Sequence, residues 1–268
     1  MRHKADNSET KTLIGAIAGD IIGSIYEGKN IKTAYFPLFI PFTTFTDDTV
    51  LTMAVADVVL NGKNYQKTIW EYGNNYPNRG YGGMFRTWLK QQNPQPYDSF
   101  GNGSAMRVSA IGFAYTSLNE VLAIAKQSAI VTHNHPEGVK GAQAVASAIF
   151  LAKTGKSKAE IKAYIETTFE YDLDETLDQI RPFYRFNATC QGSVPQSIRA
   201  FLESTDYENA IRLAISIGGD SDTIACIAGG IAAAFYKHIP DNIIEEVVKR
   251  LPKEYVDLLE QFEEKLNA

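Results

Sequence analysis

Three glycines at four-residue spacing, Gly15, Gly19 and Gly23 in TLIGAIAGDIIGSIYEGKN, constrain the fold of this 268-residue chain more than any other feature. On a helix they share one face. Each glycine inside a helix costs about 1 kcal/mol relative to alanine, so roughly 3 kcal/mol must be offset. Close approach of a second helix is the usual compensation. A matching stripe stands near the other end of the chain, where DTIACIAGGIAAAFY places Ala225, Gly229 and Ala233 at the same spacing. The expectation is a pair of helices whose backbones nearly touch.

Helical spacing recurs along the rest of the chain: Leu118, Val121, Leu122 and Ala125; Val139, Ala142, Val145, Ala146, Ile149 and Phe150; Ile243, Ile244, Val247, Val248 and Leu251. Period-two alternation is nearly absent, so the class is all-α, a compact orthogonal bundle of roughly a dozen helices. Breaks fall at Asn61-Gly62, Thr154-Gly155-Lys156, Ile239-Pro240-Asp241 and Leu251-Pro252. The C-terminal segment from Lys253 to Ala268 carries one apolar stripe, Leu258, Leu259, Phe262 and Leu266. One long irregular piece, Lys29 to Thr44, is rich in proline and aromatics and reads as a loop packed on the surface beside the first helix.

With 44% hydrophobic residues and no linker-like run, one domain over residues 12–268 is expected, preceded by a polar, frayed tail at 1–11. Neither a signal peptide nor the ~18 apolar residues of a membrane span is visible, which points to a soluble, cytoplasmic protein with no membrane partner. A net charge of -5 and the lack of a Lys/Arg cluster interleaved with aromatics argue against a nucleic-acid partner. The two cysteines, Cys190 and Cys226, lack zinc or disulfide spacing and read as buried thiols. No exposed apolar stripe separates from the core by pattern, so oligomeric state stays open, with a monomer favoured.

The segment FTDDTVLTMAVADVVL sets Asp47 and Asp48 side by side at the start of an apolar helical run. Alone, it is explained by capping: Thr46 caps the helix, and first-turn acids gain ~0.3 to 1 kcal/mol each from the macrodipole. The pattern then repeats. SIGGDSDTIACIAGG puts Asp220, Asp222 and Thr223 at the start of the second small-residue helix, after two glycines, Gly218 and Gly219, that permit a sharp turn with positive φ. If the two starts meet, four carboxylates share one site, and each pair ~4 Å apart repels by ~4 kcal/mol at an effective dielectric of 20. Helix dipoles cannot cancel that, so cations are required. The candidate ligands are all oxygens, these carboxylates plus the hydroxyls of Thr46 and Thr223, a set that favours hard ions such as Mg²⁺ or Mn²⁺ over zinc and has room for two. Asp20 and Glu27 lie two turns apart on one face of the first helix; Glu27 is a candidate to join, while Asp20 is as well explained by accepting backbone or hydroxyl hydrogen bonds.

In order along the chain, GDIIGSIYE, TDDT at 46–49, RGYGG at 79–83, SFGNGSAMR at 99–107, THNHPEG at 132–138 and GGDSDT at 218–223 make the sequence resemble the ADP-ribosylglycohydrolases, which include the dinitrogenase reductase-activating glycohydrolase and the animal ADP-ribosylhydrolases. The resemblance runs nearly the whole chain. It implies an all-α fold with two Mg²⁺ (or Mn²⁺) ions in a central cleft, held by Thr46, Asp47, Asp48, Asp220, Asp222 and Thr223. Glu27 matches an acidic position beside the metals that is thought to move when substrate enters, although Ile25 replaces an aromatic residue common in that pattern. The glycine turn, which alone reads either as a structural turn or as backbone N–H groups cradling a diphosphate, becomes part of an ADP-ribose cleft: Gly101, Asn102, Gly103, Ser104 and Met106, with Phe100 as a stacking surface for adenine. RGYGG, with Gly82, supplies a second, flexible wall. His133 is implied to contact the ribose or phosphate, His135 to begin a helix, and Arg107 to hold the loop or a carboxylate.

The implied reaction is hydrolysis of an N- or O-glycosidic bond at C1' of ADP-ribose through an oxocarbenium-like transition state. Asp48, with Asp47 and Glu27 as further catalytic candidates, would help to take a proton from the attacking water, while the metals orient the ribose hydroxyls and acidify that water. Two rivals remain. An all-α synthase that ionises prenyl diphosphates also uses Asp-rich motifs, but as DDxxD inside helices and with basic residues that are missing here. A non-catalytic ADP-ribose binder is the other. The leaving group is left to the rim, where the aromatic loop at 34–45 and RGYGG are expected to decide.

Overall fold

The computed structural model describes residues 12–268, so the expected tail at 1–11 lies outside the described residues. Among the described residues the chain forms fourteen α-helices and one 3-10 turn, with no strand. The fold is all-α. Helices stop or start where the breakers stand: Gly62, at φ 66°, closes Asp47–Asn61; Pro136–Lys153 ends before Thr154; Asp241–Val248 and Lys253–Asn267 follow Pro240 and Pro252. No helix among the described residues is long and apolar enough to cross a membrane.

At the centre, Ile14–Glu27 packs antiparallel on Ser221–Tyr236, as the two small-residue stripes require. A Cβ added to Gly15 would stand 2.7 Å from the Gly229 carbonyl oxygen, and one on Gly23 would stand 2.5 Å from the Cα of Asp222. Neither leaves room for a side chain. The flanks of both helices are filled by fully buried aliphatics such as Ile17, Ile21, Ile22, Ile224 and Ile231, each contributing about 1.5–3 kcal/mol by leaving water.

That packing positions the site. The Gly23 contact sets the start of Ser221–Tyr236 against the last turns of the first helix, level with Asp20 and Glu27. Asp20, itself fully buried, then fastens the start of Asp47–Asn61 to the same place. Its carboxylate accepts from the Thr46 and Thr49 backbone N–H groups at 2.9 and 3.1 Å and from both threonine hydroxyls.

The irregular segment 29–44 is tied down beside this junction. Arg212 Nη1 donates to the Ala34 and Phe36 carbonyls (3.1 and 2.8 Å), and the Tyr26 hydroxyl donates to the Pro37 carbonyl (2.8 Å). Asn30 exchanges two hydrogen bonds with the Gly219 backbone, at 2.7 and 2.9 Å. Tyr35 and Phe42 on this loop are almost wholly exposed.

Candidate active site

The starts of Asp47–Asn61 and Ser221–Tyr236 meet. The Thr223 hydroxyl donates to Asp48 Oδ2 across 175 positions of sequence, at 3.2 Å. Carboxylate oxygens of Asp20, Asp48 and Asp222 lie within 4.8 Å of one another, as do those of Glu27, Asp220 and Asp222, so Asp222 belongs to both groups. Gly218 and Gly219, at φ 72° and 79°, make the expected left-handed turn that delivers Asp220. Asp220 stands at the N-cap position yet makes no side-chain capping bond; its Oδ2 instead accepts from Asn102 Nδ2 at 2.7 Å.

The acids divide by how well protein donors satisfy them. Asp20 is saturated by Thr46 and Thr49, which is the hydrogen-bonding alternative of its sequence reading. Asp48 is the opposite case: it is buried, and its Oδ1 has no partner among the described residues. A buried carboxylate oxygen facing other carboxylates is stable only if it is protonated or binds a cation. Burial first, then repulsion from Asp20 and neighbouring acids, pushes Asp47 and Asp48 well above the usual carboxylate range. Burial, then Asp48 and Asp220, does the same to Asp222. Glu27, more exposed at the cleft rim, is raised by partial burial and by Asp220 and Asp20. The donor set is oxygen only and oversupplied with negative charge, so it fits hard divalent cations.

A cleft of about 270 Å³ opens above these acids. One wall is the turn Asn102–Ser104, held by Asn102 N–H to the Ala188 carbonyl (2.8 Å) and by Asn102 Nδ2 to Ser193 Oγ (3.0 Å). Gly101, Asn102, Gly103, Met106 and His133 all line the cleft, as does Gly82 opposite. The RGYGG wall is tied at two of its residues: the Arg79 carbonyl accepts from the Asp47 N–H (2.8 Å), its guanidinium covers the Phe45 ring at 3.8 Å, and the Tyr81 hydroxyl donates to the Tyr76 carbonyl (2.8 Å). His135 caps Pro136–Lys153, accepting from the Glu137 N–H through Nδ1, as expected of a helix start. Arg107 holds the loop: its Nη2 donates to the Ser128 carbonyl and to Thr132 Oγ1. Both cysteines are buried thiols with raised pKa, that of Cys190 pushed up to about 12 by burial.

Three expectations need correction. Ser104 does not line the cleft; it is fully buried and donates to the Gly138 carbonyl (2.7 Å), because the tight 3-10 turn rotates it into the core. Phe100 is half exposed and leans on His135, its ring centroid 5.3 Å away, outside the lining where an adenine stack was expected. The aromatic loop at 34–45 contributes nothing to the lining either, since its ties to Arg212 and Tyr26 hold it elsewhere. Phe186, Met84 and Tyr97 stand there instead. Sequence reasoning missed Phe186 because residues 181–189 carry no periodic pattern, although an aromatic residue in an irregular segment was a usable signal. Thr46 is not in the lining; its hydroxyl donates to Asp20 and accepts from the Asp48 N–H as the cap of its helix.

The model of the ADP-ribosylglycohydrolase family matches residues 3–268. ADP-ribosylhydrolase ARH3 of Xenopus tropicalis is 28% identical over 312 residues, covering 86% of this chain and 88% of that protein. The human ARH3 is 28% identical, with 84% of each chain covered. A protein named putative ADP-ribosyl glycohydrolase L543, from Acanthamoeba polyphaga mimivirus, is 26% identical over 88% of this chain and 89% of its own length. A solved chain titled ADP-ribosylglycohydrolase-related protein complex superposes with a TM-score of 0.73 at 22% identity, covering 98% of this chain and 99% of that one, and shares the all-α fold. With the family pattern running from end to end, this chain belongs to the ADP-ribosylglycohydrolase family of glycosidic-bond hydrolases.

Proposed function

We propose that the protein hydrolyses the glycosidic bond at C1' of ADP-ribose attached to a protein or small molecule, and that it needs two divalent cations, Mg²⁺ or Mn²⁺. One observation carries the metal requirement: the buried, unpartnered Oδ1 of Asp48 inside a group of carboxylates. Asp47, Asp48, Asp220, Asp222 and the Thr46 and Thr223 hydroxyl oxygens would hold the ions, and Asp222 is common to both oxygen clusters. Such ions supply Lewis acidity that orients the ribose hydroxyls and acidifies water.

The chain's own residues do the rest. Asn102 fixes Asp220 by donating to Oδ2, so one carboxylate keeps its place whatever enters the cleft. The Gly101 and Asn102 N–H groups are taken by Ser99 Oγ and the Ala188 carbonyl (3.1 and 2.8 Å), so the turn offers a diphosphate the Gly103 N–H and close backbone approach without a basic side chain, and His133 and Met106 close that wall. Asp48 is the general base that takes a proton from the water attacking C1', and the group that departs from C1' takes up a proton in exchange. Glu27 at the rim, with its raised pKa, sits where a leaving group or incoming water passes.

The test is release of free ADP-ribose from arginine-, serine- and acetyl-linked substrates, followed by chromatography with Mg²⁺, Mn²⁺ or chelator. Metal-dependent release from at least one establishes the reaction and names the bond. Binding of ADP-ribose with no release from any would make the protein a binder, and absence of binding would sink the assignment.

A further inference from the structure

His133 is held from behind by a chain of hydrogen bonds that begins at a buried charge. Arg107 is fully buried, and among the described residues no carboxylate accepts from it. Its Nη2 donates to the Ser128 carbonyl (2.6 Å) and to Thr132 Oγ1 (3.0 Å), while Nε and Nη1 have no partner among the described residues. Thr132 Oγ1 in turn lies 2.7 Å from His133 Nδ1 and 3.5 Å from the Ala129 carbonyl oxygen.

These distances favour one direction for each bond. A guanidinium only donates, so the Thr132 oxygen accepts from Arg107 and its single proton goes to Ala129 or to His133. The Ala129 oxygen already accepts from the Thr132 and His133 backbone N–H groups, at 3.1 and 2.8 Å. At 3.5 Å it is also beyond the ordinary O–H···O range of about 2.5–3.0 Å. The proton therefore points at Nδ1. With Nδ1 accepting, the neutral ring carries its own hydrogen on Nε2. Burial, and then the Arg107 charge, hold the imidazole well below the usual histidine range, so the ring is neutral at pH 7.

The Nε2 edge faces the glycine turn: a Cβ on Gly103 would lie 3.2 Å from Nε2, and one on Gly101 3.5 Å. No Lys or Arg lines the cleft, whose charged residues are all acids. A cationic side chain inside it would pair with those carboxylates, whereas a charge placed behind Thr132 polarises the chain of bonds towards the turn and stays out of their reach. We propose that Arg107 and Thr132 are positioning residues that lock His133 as the Nε2–H tautomer, making it a one-way donor to a diphosphate oxygen of a ligand lying over the Gly101–Gly103 turn. The ligand class rests on the function proposed above; the tautomer does not.

Long-range ¹H–¹⁵N correlation spectra of the full chain labelled at histidine test this, with His133→Asn to assign the ring among the four histidines. The expected result is a bare Nδ1 and a protonated Nε2, whose proton moves downfield on addition of ADP-ribose. Thr132→Val keeps the shape and removes the donor: the ring then populates both tautomers and ADP-ribose binds about tenfold more weakly by calorimetry. Thr132→Ser retains the tautomer and the affinity. An Nδ1–H ring in the unmodified protein overturns the proposal, as does Thr132→Val with an unchanged ring and full affinity. If Thr132→Val does not fold, the unmodified spectrum and the Thr132→Ser pair decide. An Nε2–H ring in a protein that binds no ADP-ribose would leave the lock standing and remove the ligand.

Discussion

The Ala225 carbonyl oxygen lies 2.1 Å from the point where a Cβ on Gly19 would stand, so at this level the two central helices meet backbone to backbone. Gly19→Ala gains up to about 1 kcal/mol of helix propensity. It also forces apart two backbones that have no flexible side chain to yield, at a net loss of about 1–3 kcal/mol. Urea unfolding measures it, and a Gly19→Ala protein as stable as the parent would remove this contact from the account of the fold.

Asp48→Asn keeps shape and hydrogen bonding and removes the charge that the cleft most lacks a partner for. Turnover should fall by about 10²–10⁴-fold. Without added metal the variant should melt no lower than the parent, because one repulsive charge is gone. Normal turnover by Asp48→Asn would show that Asp48 takes no part in the chemistry.

The raised pKa values of Asp47, Asp48, Asp220 and Asp222 have a sign. Above the ordinary carboxylate range these groups hold more protons folded than unfolded, so without divalent cations stability falls as pH rises through their raised folded values. Ions that bind the ionised acids reverse the trend. The rise in Tm on adding Mg²⁺ or Mn²⁺ should therefore grow with pH, as differential scanning in chelator and in metal will read. An increment independent of pH would separate the cations from these carboxylates.

Phe186 lines the cleft, and Phe100 leans away on His135. Removing an aromatic face that stacks on a base costs about 1–3 kcal/mol. Phe186→Ala should weaken ADP-ribose binding by about tenfold or more in calorimetry, and Phe100→Ala by less. The reverse order would return the stacking role to Phe100.

What the sequence made legible was whatever had an energetic problem to solve. Gly15, Gly19 and Gly23 had to face other small residues, and acids grouped at two helix starts would need something positive if they met, so the central pair followed from its own demand while the grouping of Asp48 and Asp222 was a condition that the fold had to meet. Ser104 was misplaced because the spacing of GNGS does not say that a 3-10 turn swings its fourth residue onto Gly138. The tethering of RGYGG was hidden as well, since it depends on Arg79 reaching the Phe45 ring and carbonyl from another segment. Nothing in the order of residues links Arg107 to His133; only the turn between Ser128 and His133, folded back on the guanidinium, does so.

The hydrogen bond between Thr223 and Asp48 closes a loop of 175 positions, which sets when the site can exist during synthesis. A chain growing from its N-terminus exposes Asp47 and Asp48 long before Asp220 and Asp222 have been made. Until Ser221–Tyr236 emerges, the first helix has no second stripe to lie against, and no partial product contains both halves of the acid cluster. Catalytic competence therefore waits for a contact that local folding cannot supply.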